Sequence, residues 1–551
     1  MQNFLVNAKV LIVDDFAGFR ETIKGMLTRI KITNIDQASN GYDALKLCSE
    51  NAYQIIFCDY NMDNGPDGQQ ILEELHQRAI IPRGTIFFMV TAETTKAQVI
   101  GAIEYRPDSY LTKPFTGEQL EQRLKRLIIK NISLRPIYDM ISTGDLYHAL
   151  RVCDDIKHTT PKVKFSCLRI KAELYEETNK PHLALEIYNE VIDEQPLLWA
   201  MMGVGRNLYE QNEFDKALKY FIGILKSFPR QVNTLDWIAK CQHALNETEK
   251  AETTLLEAVD ISPKSLMRQA SLGKLASSLK HHDIAHHAFT QALHEGNYSC
   301  MLKPQHFIHF YENTREYAKT LKGTERSNLM TQTDSVFKKM EWKYKDDPSA
   351  LAPNLSTVAK MYAEEGLSDR AARMLSKLQT ALEHEDCILT SNDTDMISSN
   401  VLTLTHDEKA NKYLASISAR LEQFQEEIQK IPQTSVSTSA SIIETLPPDS
   451  LFSDSDLLMV AKKVNKEGLE LVSKSKHVLA LGKFREAIKM APENVSFALN
   501  AAHVILMTPS LCNLPNLILE ARQYLEKSDY SDENSIRRQR YKDLLDKLNN
   551  A

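Results

Sequence analysis

Three acidic residues, a hydroxyl and a lysine stand at the ends of short apolar runs near the start of this chain. Asp14 and Asp15 close Lys9-Val-Leu-Ile-Val-Asp-Asp15, and Asp59 closes Gln54-Ile-Ile-Phe-Cys-Asp59. Thr91 closes Thr85-Ile-Phe-Phe-Met-Val-Thr91, and Lys113 follows Asp108-Ser-Tyr-Leu-Thr112 and precedes Pro114. Each run has strand length, and helix-like segments separate the runs, so the polar residues fall at the carboxyl ends of parallel strands, where open sheets place their sites. Clustered carboxylates repel one another and invite a hard cation. Mg²⁺ (or Mn²⁺) prefers few carboxylates, several waters and a substrate phosphate. A lysine adds a positive point charge for phosphoryl oxygens, and a carboxylate can itself accept a group covalently. Together they point to metal-assisted phosphoryl transfer to a carboxylate.

The elements that must position these residues read as strand 8–15, helix 17–31, strand 34–39, helix 41–51, strand 54–59, helix 67–79, strand 85–91, helix 94–105, strand 108–112 and helix 116–131. The strands are near-continuous apolar runs, as expected when helices cover both faces of a sheet. The implied unit is an α/β doubly wound (flavodoxin-like) five-stranded parallel sheet.

With all five positions in order, residues 6–131 resemble the receiver (CheY-like) domain of two-component response regulators. The resemblance implies that Asp59 is the phosphoacceptor, taking a phosphoryl group from a phosphohistidine of a sensor histidine kinase. It implies that Asp15, Asp59 and the backbone carbonyl of Asn61 ligate Mg²⁺ directly, while Asp14 acts through a bound water. Thr91 would donate its hydroxyl to the phosphoryl group, with Ala92 leaving room beside it, and Lys113 would neutralise the phosphoryl oxygens. Lys113-Pro114 matches the position of a family cis peptide. Tyr110 takes the place of the switch aromatic, a bistable element biased by charge. Asn61 and Glu93 flank the site where the family tunes phosphoryl lifetime, and their polarity implies a short-lived phosphoform. Singly, each residue has an ordinary use: Asp14-Asp15 as a helix cap, Asp59 as a turn opener, Thr91 as a cap, Lys113 as a surface lysine, Tyr110 as a strand aromatic. One departure stands out. The loop Asp59-Tyr-Asn-Met-Asp-Asn-Gly-Pro-Asp-Gly68 lacks the family's Pro after Met62 and is one residue longer.

Past residue 136 the chain turns helical and repeats. Alanine and proline twelve residues apart recur as Ala149/Pro161, Ala184/Pro196, Ala217/Pro229, Ala251/Pro263 and, far downstream, Ala480/Pro492. The first four alanines are spaced by 35, 33 and 34 residues, and Ala285 adds another 34 without its proline. A large residue follows four positions later (Tyr188, Phe221, Leu255, Phe289, Phe484), and a small one precedes by twelve (Ala172, Gly205, Ala239, Gly273, Gly468), with Tyr175 beside Ala172. This pattern resembles the tetratricopeptide repeat, a helical hairpin of period 34. Small residues let its two helices approach, aromatics fill the space above, and the proline ends the second helix. A different α-solenoid would share the apolar spacing. Residues 354–382 show the pattern again (Ala359, Tyr362, Ala371, Leu375), and Ala521 and Leu525 echo it. The expectation is five to eight repeats in two blocks.

The expected organisation is multidomain: receiver 1–131, first repeat block 136–297, a degenerate helical region 298–385, an irregular region with one helix and a Ser/Thr/Pro-rich linker 386–456, and a C-terminal repeat-like block 457–551. The 551 residues suit three or four domain-sized units. No apolar stretch approaches a bilayer span, and the first strand begins too early for a signal peptide. A net charge of −7 argues against nucleic acid as the main partner. Eight scattered cysteines without a CxxC pair fit reduced thiols in a bacterial cytoplasm.

Other constellations give less. His282 and His286 have i, i+4 spacing that could hold a metal or simply form a solvated face. Arg537, Arg538, Arg540 and Lys542 form a short basic run on a terminal helix. The sequence therefore implies a regulator rather than a conventional enzyme, with a sensor kinase upstream and a protein or peptide on the concave face of the superhelical solenoid. The 94–131 face would carry the signal or form a homodimer. Competing expectations are a decoy that drains a kinase serving another regulator, a hidden phosphatase-type enzyme in 300–450, and RNA binding by the solenoid.

Overall fold

The computed structural model describes residues 2–62, 65–78, 80–92, 107–143, 145–229, 231–406 and 409–429, and, further on, helices His477–Met490 and Val495–Met507 with scattered positions from 465 to 548. Helix 94–105, Glu93, the linker 431–456, Gly468, Pro492, Cys512 and the basic run 537–542 lie outside the described residues.

Five parallel strands form one sheet: β1 Val10–Val13, β2 Ile35–Ala38, β3 Ile55–Asp59, β4 Ile86–Thr91 and β5 Ser109–Thr112, in the order β2-β1-β3-β4-β5. Every residue of β1, β3 and β4 is buried, which is why these runs are uniformly apolar instead of alternating. One face packs Leu11, Ile56, Phe87 and Met89 under helices Gly41–Glu50 and Gly68–Gln77. The other packs Ile12, Phe57, Phe88 and Val90 under helices Ala17–Arg29 and Gly117–Ser142. Helix Gly68–Gln77 starts on a capping box between Asp67 and Gln70. A short helix, Gln2–Asn7, precedes β1, where the sequence predicts direct entry into the strand.

Helix Gly117–Ser142 continues through the boundary expected at 131–136. Its Leu120, Leu124 and Ile128 belong to the sheet core, and its Leu134 and Ile137 to the first helical hairpin. Pro136 lies inside this helix rather than ending it.

Antiparallel helix pairs follow: Lys164–Glu177 with Pro181–Glu194, Leu198–Glu210 with Phe214–Ser227, Val232–Ala244 with Thr248–Ile261, and Leu266–Ser278 with His282–Glu295. Ala149, Ala184, Ala217, Ala251 and Ala285 are fully buried. A Cβ on Gly205 would meet the Phe221 ring at 2.5 Å, and one on Gly273 the Phe289 ring at 2.6 Å, so glycine is what lets these helices close. The turn inside each hairpin uses one left-handed residue, Asn179, Asn212, Asn246 and Lys280 with φ of 56–64°, and these positions share the repeat period.

The repeat prolines stand where the second helices end. Sequence places Pro196, Pro229 and Pro263 in one signature with the alanines and aromatics, as the residues that end each second helix. The structure leaves all three exposed, outside the cores that hold their signature partners. They also lie outside the helices, which end at Glu194, Ser227 and Ile261, each followed by one capping residue before the proline. Those capping residues, Gln195, Phe228 and Ser262, have φ of −151°, −132° and −141°, well away from helical values. A proline ring clashes with a helical residue before it and drives that residue extended. Pro196, Pro229 and Pro263 therefore stop the helix through the preceding residue and need no burial to do so. Pro263 adds one backbone contact, its carbonyl accepting from Gln269 Nε2 at 2.9 Å.

Beyond residue 300 the hairpins persist with longer helices: Pro304–Thr320 with Gly323–Lys343, and Pro348–Glu364 with Ser368–Glu383. Their buried faces include Asn313, Thr314, Thr333, Asn354, Ser356 and Thr357, which dilutes the apolar pattern. Residues 386–402 lack a period in sequence and are expected to be irregular, but Ser391–Leu402 is a helix capped by Thr390 and Asp393. Thr394 and Asn400 share its buried face with Ile397 and Val401, so its period is hidden from a hydrophobic reading. Helix Asn411–Gln429 closes this part.

The chain divides into two compact units, Met1–Lys430 and Ile431–Ala551. In the second, Ala480, Phe484, Leu499 and Ala502 share a core. No helix among the described residues is long and apolar enough to cross a membrane.

Candidate functional site

β1, β3, β4 and β5 end side by side, and their register brings the chemistry-bearing residues together. Asp14 and Asp15 follow β1, and one carboxylate oxygen of each lies within 4.8 Å of the others and of Asp59. Asp14, Asp59 and Thr91 are buried, and Asp15 is exposed. The Lys113 Nζ donates to Asp14 Oδ2 at 2.7 Å and to Asp59 Oδ2 at 2.9 Å. The same ammonium lies 4.1 Å from the centre of the Phe19 ring, which packs edge-on against Phe115. The Lys113-Pro114 bond is cis, and the Lys113 amide donates to the Thr91 carbonyl at 2.7 Å. Arg20 reaches the carbonyls of Asp14 and Asp15, and Asp14 Oδ1 accepts from the Phe16 amide at 2.9 Å. Asn61 and Ala92 are exposed beside the cluster. Tyr110 is half-buried and packs with the sheet core that contains Met89. Asp14, Asp15, Asp59, Thr91 and Lys113 thus meet at this one edge, while Tyr110 lies further back on β5, opposite Met89.

Electrostatics follows from the crowding. Burial pushes the Asp59 carboxyl up to about 6, against the pull of Lys113 and with the added push of Asp14. For Lys113, burial disfavours the charge, but its hydrogen bonds to Asp14 and Asp59 outweigh it and hold the ammonium above its usual range. Three carboxylates thus face one ammonium in a partly desolvated cluster, a donor set that fits a hard divalent cation.

The mouth of the site is a cleft of about 750 Å³ lined by Asp15, Asn40, Tyr42, Met62, Gly65 and, from the helical part, Tyr298. No motif in the sequence points to Tyr298, which is 256 positions from Tyr42.

In the helical part, a groove of about 540 Å³ lies between helices Val232–Ala244 and Leu266–Ser278, with Lys240, His243, Met267 and Lys274 on its walls. Arg268 is buried at its base and forks onto both oxygens of Asp236 at 2.8 and 2.7 Å. His282 and His286 do not converge on one point. His282 Nδ1 pairs with Asn313 Oδ1 at 3.0 Å, and the His286 ring packs between Phe310 and Tyr317. Among the described residues, Asp14, Asp15 and Asp59 form the one group of three or more candidate metal ligands. The described cysteines are free thiols.

The response regulator receiver domain family matches residues 10–125, and the tetratricopeptide repeat family matches residues 205–265. The chemotaxis protein CheY-3 of Vibrio cholerae is 30% identical over 121 residues, which is 22% of this chain and 92% of that protein. CheY of Pseudomonas aeruginosa is 31% identical over 119 residues, again 22% of this chain and 94% of the relative. Among solved structures, Vibrio cholerae CheY4 is 26% identical, covering 22% of this chain and 98% of its own, at a TM-score of 0.20. MamA residues 41-end from Desulfovibrio magneticus RS-1 is 16% identical, covering 30% of this chain and 94% of its own, at a TM-score of 0.27.

Proposed function

Because the chain belongs, through its first domain, to the response regulator receiver family and carries tetratricopeptide repeats behind it, we propose that it is a phosphorelay response regulator whose output is protein binding by the repeats. The observation that carries this reading is the pairing of Lys113 with both Asp14 and Asp59 at the carboxyl edge of the sheet. In this reading an Asp59 oxygen attacks the phosphorus of a kinase phosphohistidine. The P–N bond breaks, the imidazole leaves and takes up a proton, and an acyl phosphate forms. Water later attacks the phosphorus, releasing inorganic phosphate and restoring the carboxylate. Asp14, Asp15, Asp59 and the Asn61 carbonyl would hold Mg²⁺, which would offset charge on the phosphoryl oxygens. Lys113 supplies the protein's own cation to those oxygens, and the Thr91 hydroxyl, buried beside Asp59, donates a hydrogen bond.

Accepting and losing the phosphoryl group is then the protein's only chemistry, and its setting is the cytoplasm. The groove walls carry Lys240 and Lys274, which suit an acidic segment of a partner protein. The test is capture from native extract by wild type, wild type with Mg²⁺ and beryllofluoride (an acyl-phosphate mimic), and Asp59→Asn. A partner whose capture changes with beryllofluoride in wild type alone supports the reading. Equal capture in all three arms overturns phospho-gating, and capture of a sensor kinase as the main partner favours a decoy.

A further inference from the structure

The loop that leaves the candidate phosphoacceptor is held by residues more than two hundred positions downstream. The Tyr60 amide donates to the Val90 carbonyl at 2.7 Å, and the Tyr60 carbonyl accepts from the Gly68 amide at 3.1 Å. A Cβ on Gly68 would stand 2.2 Å from the Asp59 carbonyl oxygen, so helix Gly68–Gln77 begins directly against the backbone of Asp59. On Gly41 a Cβ would stand 2.2 Å from the Pro66 carbonyl oxygen, and on Gly65, with φ of +100°, 2.7 Å from the Tyr42 ring. Gly65, Pro66 and the start of helix Gly68–Gln77 therefore have little room to shift without moving what they touch.

What they touch is the end of the helix pair Leu266–Ser278 and His282–Glu295. Lys264 Nζ lies 5.3 Å from the centre of the Tyr60 ring. Gln70, whose side chain also closes the capping box with Asp67, donates its Nε2 to the Glu295 carbonyl at 2.7 Å. Ser299 is buried, and its hydroxyl donates to Glu73 Oε2 at 2.8 Å while accepting from the Met301 amide at 3.0 Å. Tyr298 packs edge-on against Tyr42 with ring centres 6.0 Å apart, at the mouth of the acidic cleft. Segment 296–303 is in turn tied to the next hairpin by Lys343 Nζ to the Asn297 carbonyl at 3.0 Å and Tyr344 OH to the Leu302 carbonyl at 2.9 Å. Contacts thus run from Asp59 through Tyr60, Gly68 and helix Gly68–Gln77 into the solenoid.

We propose that Ser299, Glu295 and Lys264 are positioning residues for the Asp59 loop, and that occupancy of the acidic site and the packing of segment 296–303 are coupled in both directions. This rests on the reading of Asp59 as phosphoacceptor. It places the output route at the loop after β3, whereas the sequence directed attention to the 94–131 face. Coupling between two sites is reciprocal. If metal and beryllofluoride alter the 296–303 contacts, then weakening those contacts must in turn alter the affinity of the acidic site.

The experiment uses the full chain with Mg²⁺ and beryllofluoride as the probe. Calorimetry compares beryllofluoride affinity at saturating Mg²⁺ in wild type and in Gln70→Ala/Ser299→Ala, which leaves Asp14, Asp15, Asp59, Thr91 and Lys113 intact. The expected shift is about 5-fold or more, the lower end of measured couplings. Amide exchange on the same samples reads local opening. Beryllofluoride should change exchange in 68–77 and 296–303 of wild type, and the change in 296–303 should be lost in the double variant. Binding of beryllofluoride with 296–303 unmoved, or with exchange changes confined to 107–142, overturns the proposal while sparing Asp59. No beryllofluoride binding by wild type overturns both. Because the wild-type exchange comparison needs no variant, a poorly folding double variant leaves the outcome decidable.

Discussion

Lys113 Nζ lies 2.9 Å from Asp59 Oδ2 and shares the same ammonium with Asp14 at 2.7 Å. One cation thus serves two buried acids, with Asp15 adding a third charge at the rim. Without metal the cluster is held against its own repulsion. Asp59→Asn should therefore stabilise the metal-free protein by roughly 1–2 kcal/mol, since burial and Asp14 both disfavour its charge. Adding Mg²⁺ should raise the melting temperature of wild type and leave Asp59→Asn nearly unmoved. Thermal unfolding in EDTA and in Mg²⁺ checks both signs, and a less stable Asp59→Asn in EDTA contradicts this account of the charges.

Gly273 faces the Phe289 ring so closely that an added Cβ would sit at 2.6 Å. Gly273→Ala must push that ring or splay the hairpin, at a cost of about 1–3 kcal/mol. Since each repeat contacts mainly its neighbours, faster amide exchange should concentrate in 266–295 and spare β1 and β3. Uniform loss of protection across the sheet would argue against a modular solenoid.

Lys280 occupies the left-handed turn position that asparagine fills at 179, 212 and 246. A residue bearing a Cβ is disfavoured in this conformation, whereas glycine adopts it freely. Lys280→Gly should stabilise the chain by up to about 1 kcal/mol. Chemical denaturation measures this, and a destabilised variant would show that Lys280 contributes through contacts rather than conformation.

His306 Nδ1 accepts the Lys303 amide at 2.9 Å, a bond that only the neutral ring can accept. Burial, followed by the nearby lysines, holds its pKa below the usual 6.5. A depressed histidine leaves the unfolded chain binding more protons below that value, so stability is full above it and declines as pH falls through the folded-state pKa. His286, lowered mainly by burial, acts in the same direction. Melting temperature should drop as pH falls from the neutral range through 6.5 and below. His306→Asn, which keeps an acceptor but cannot titrate, should flatten part of that drop, and an unchanged slope would remove His306 from the explanation.

The receiver residues were legible because strand ends repeat one motif: buried β1, β3 and β4 are uninterrupted apolar runs, and the polar residue at each end marks the edge of the sheet. The first repeats were legible because Ala, Gly and aromatic positions meet in one close helix contact each. Pro196, Pro229 and Pro263 were legible as punctuation but not as packing, since a proline acts on the backbone before it and keeps that effect when exposed. Legibility failed where polar residues are buried, as with Asn313, Thr333, Asn354 and Asn400, since a hydrophobic period cannot register them. Pro136 read as a boundary but lies within Gly117–Ser142, a helix that contributes to two cores. The tie between Gln70 and the Glu295 carbonyl was invisible in principle, because one partner is backbone and the two are 225 residues apart.

The central claim is that Asp59 accepts a phosphoryl group with the help of a divalent cation. The most direct measurement is intact mass and peptide mapping after incubation with acetyl phosphate, with Mg²⁺ or with EDTA, in wild type and Asp59→Asn. The account predicts one added phosphoryl group, on Asp59, in Mg²⁺ alone, and short-lived at neutral pH. Modification in EDTA, modification of Asp59→Asn to the same extent, or a phosphoform that persists for hours would contradict it.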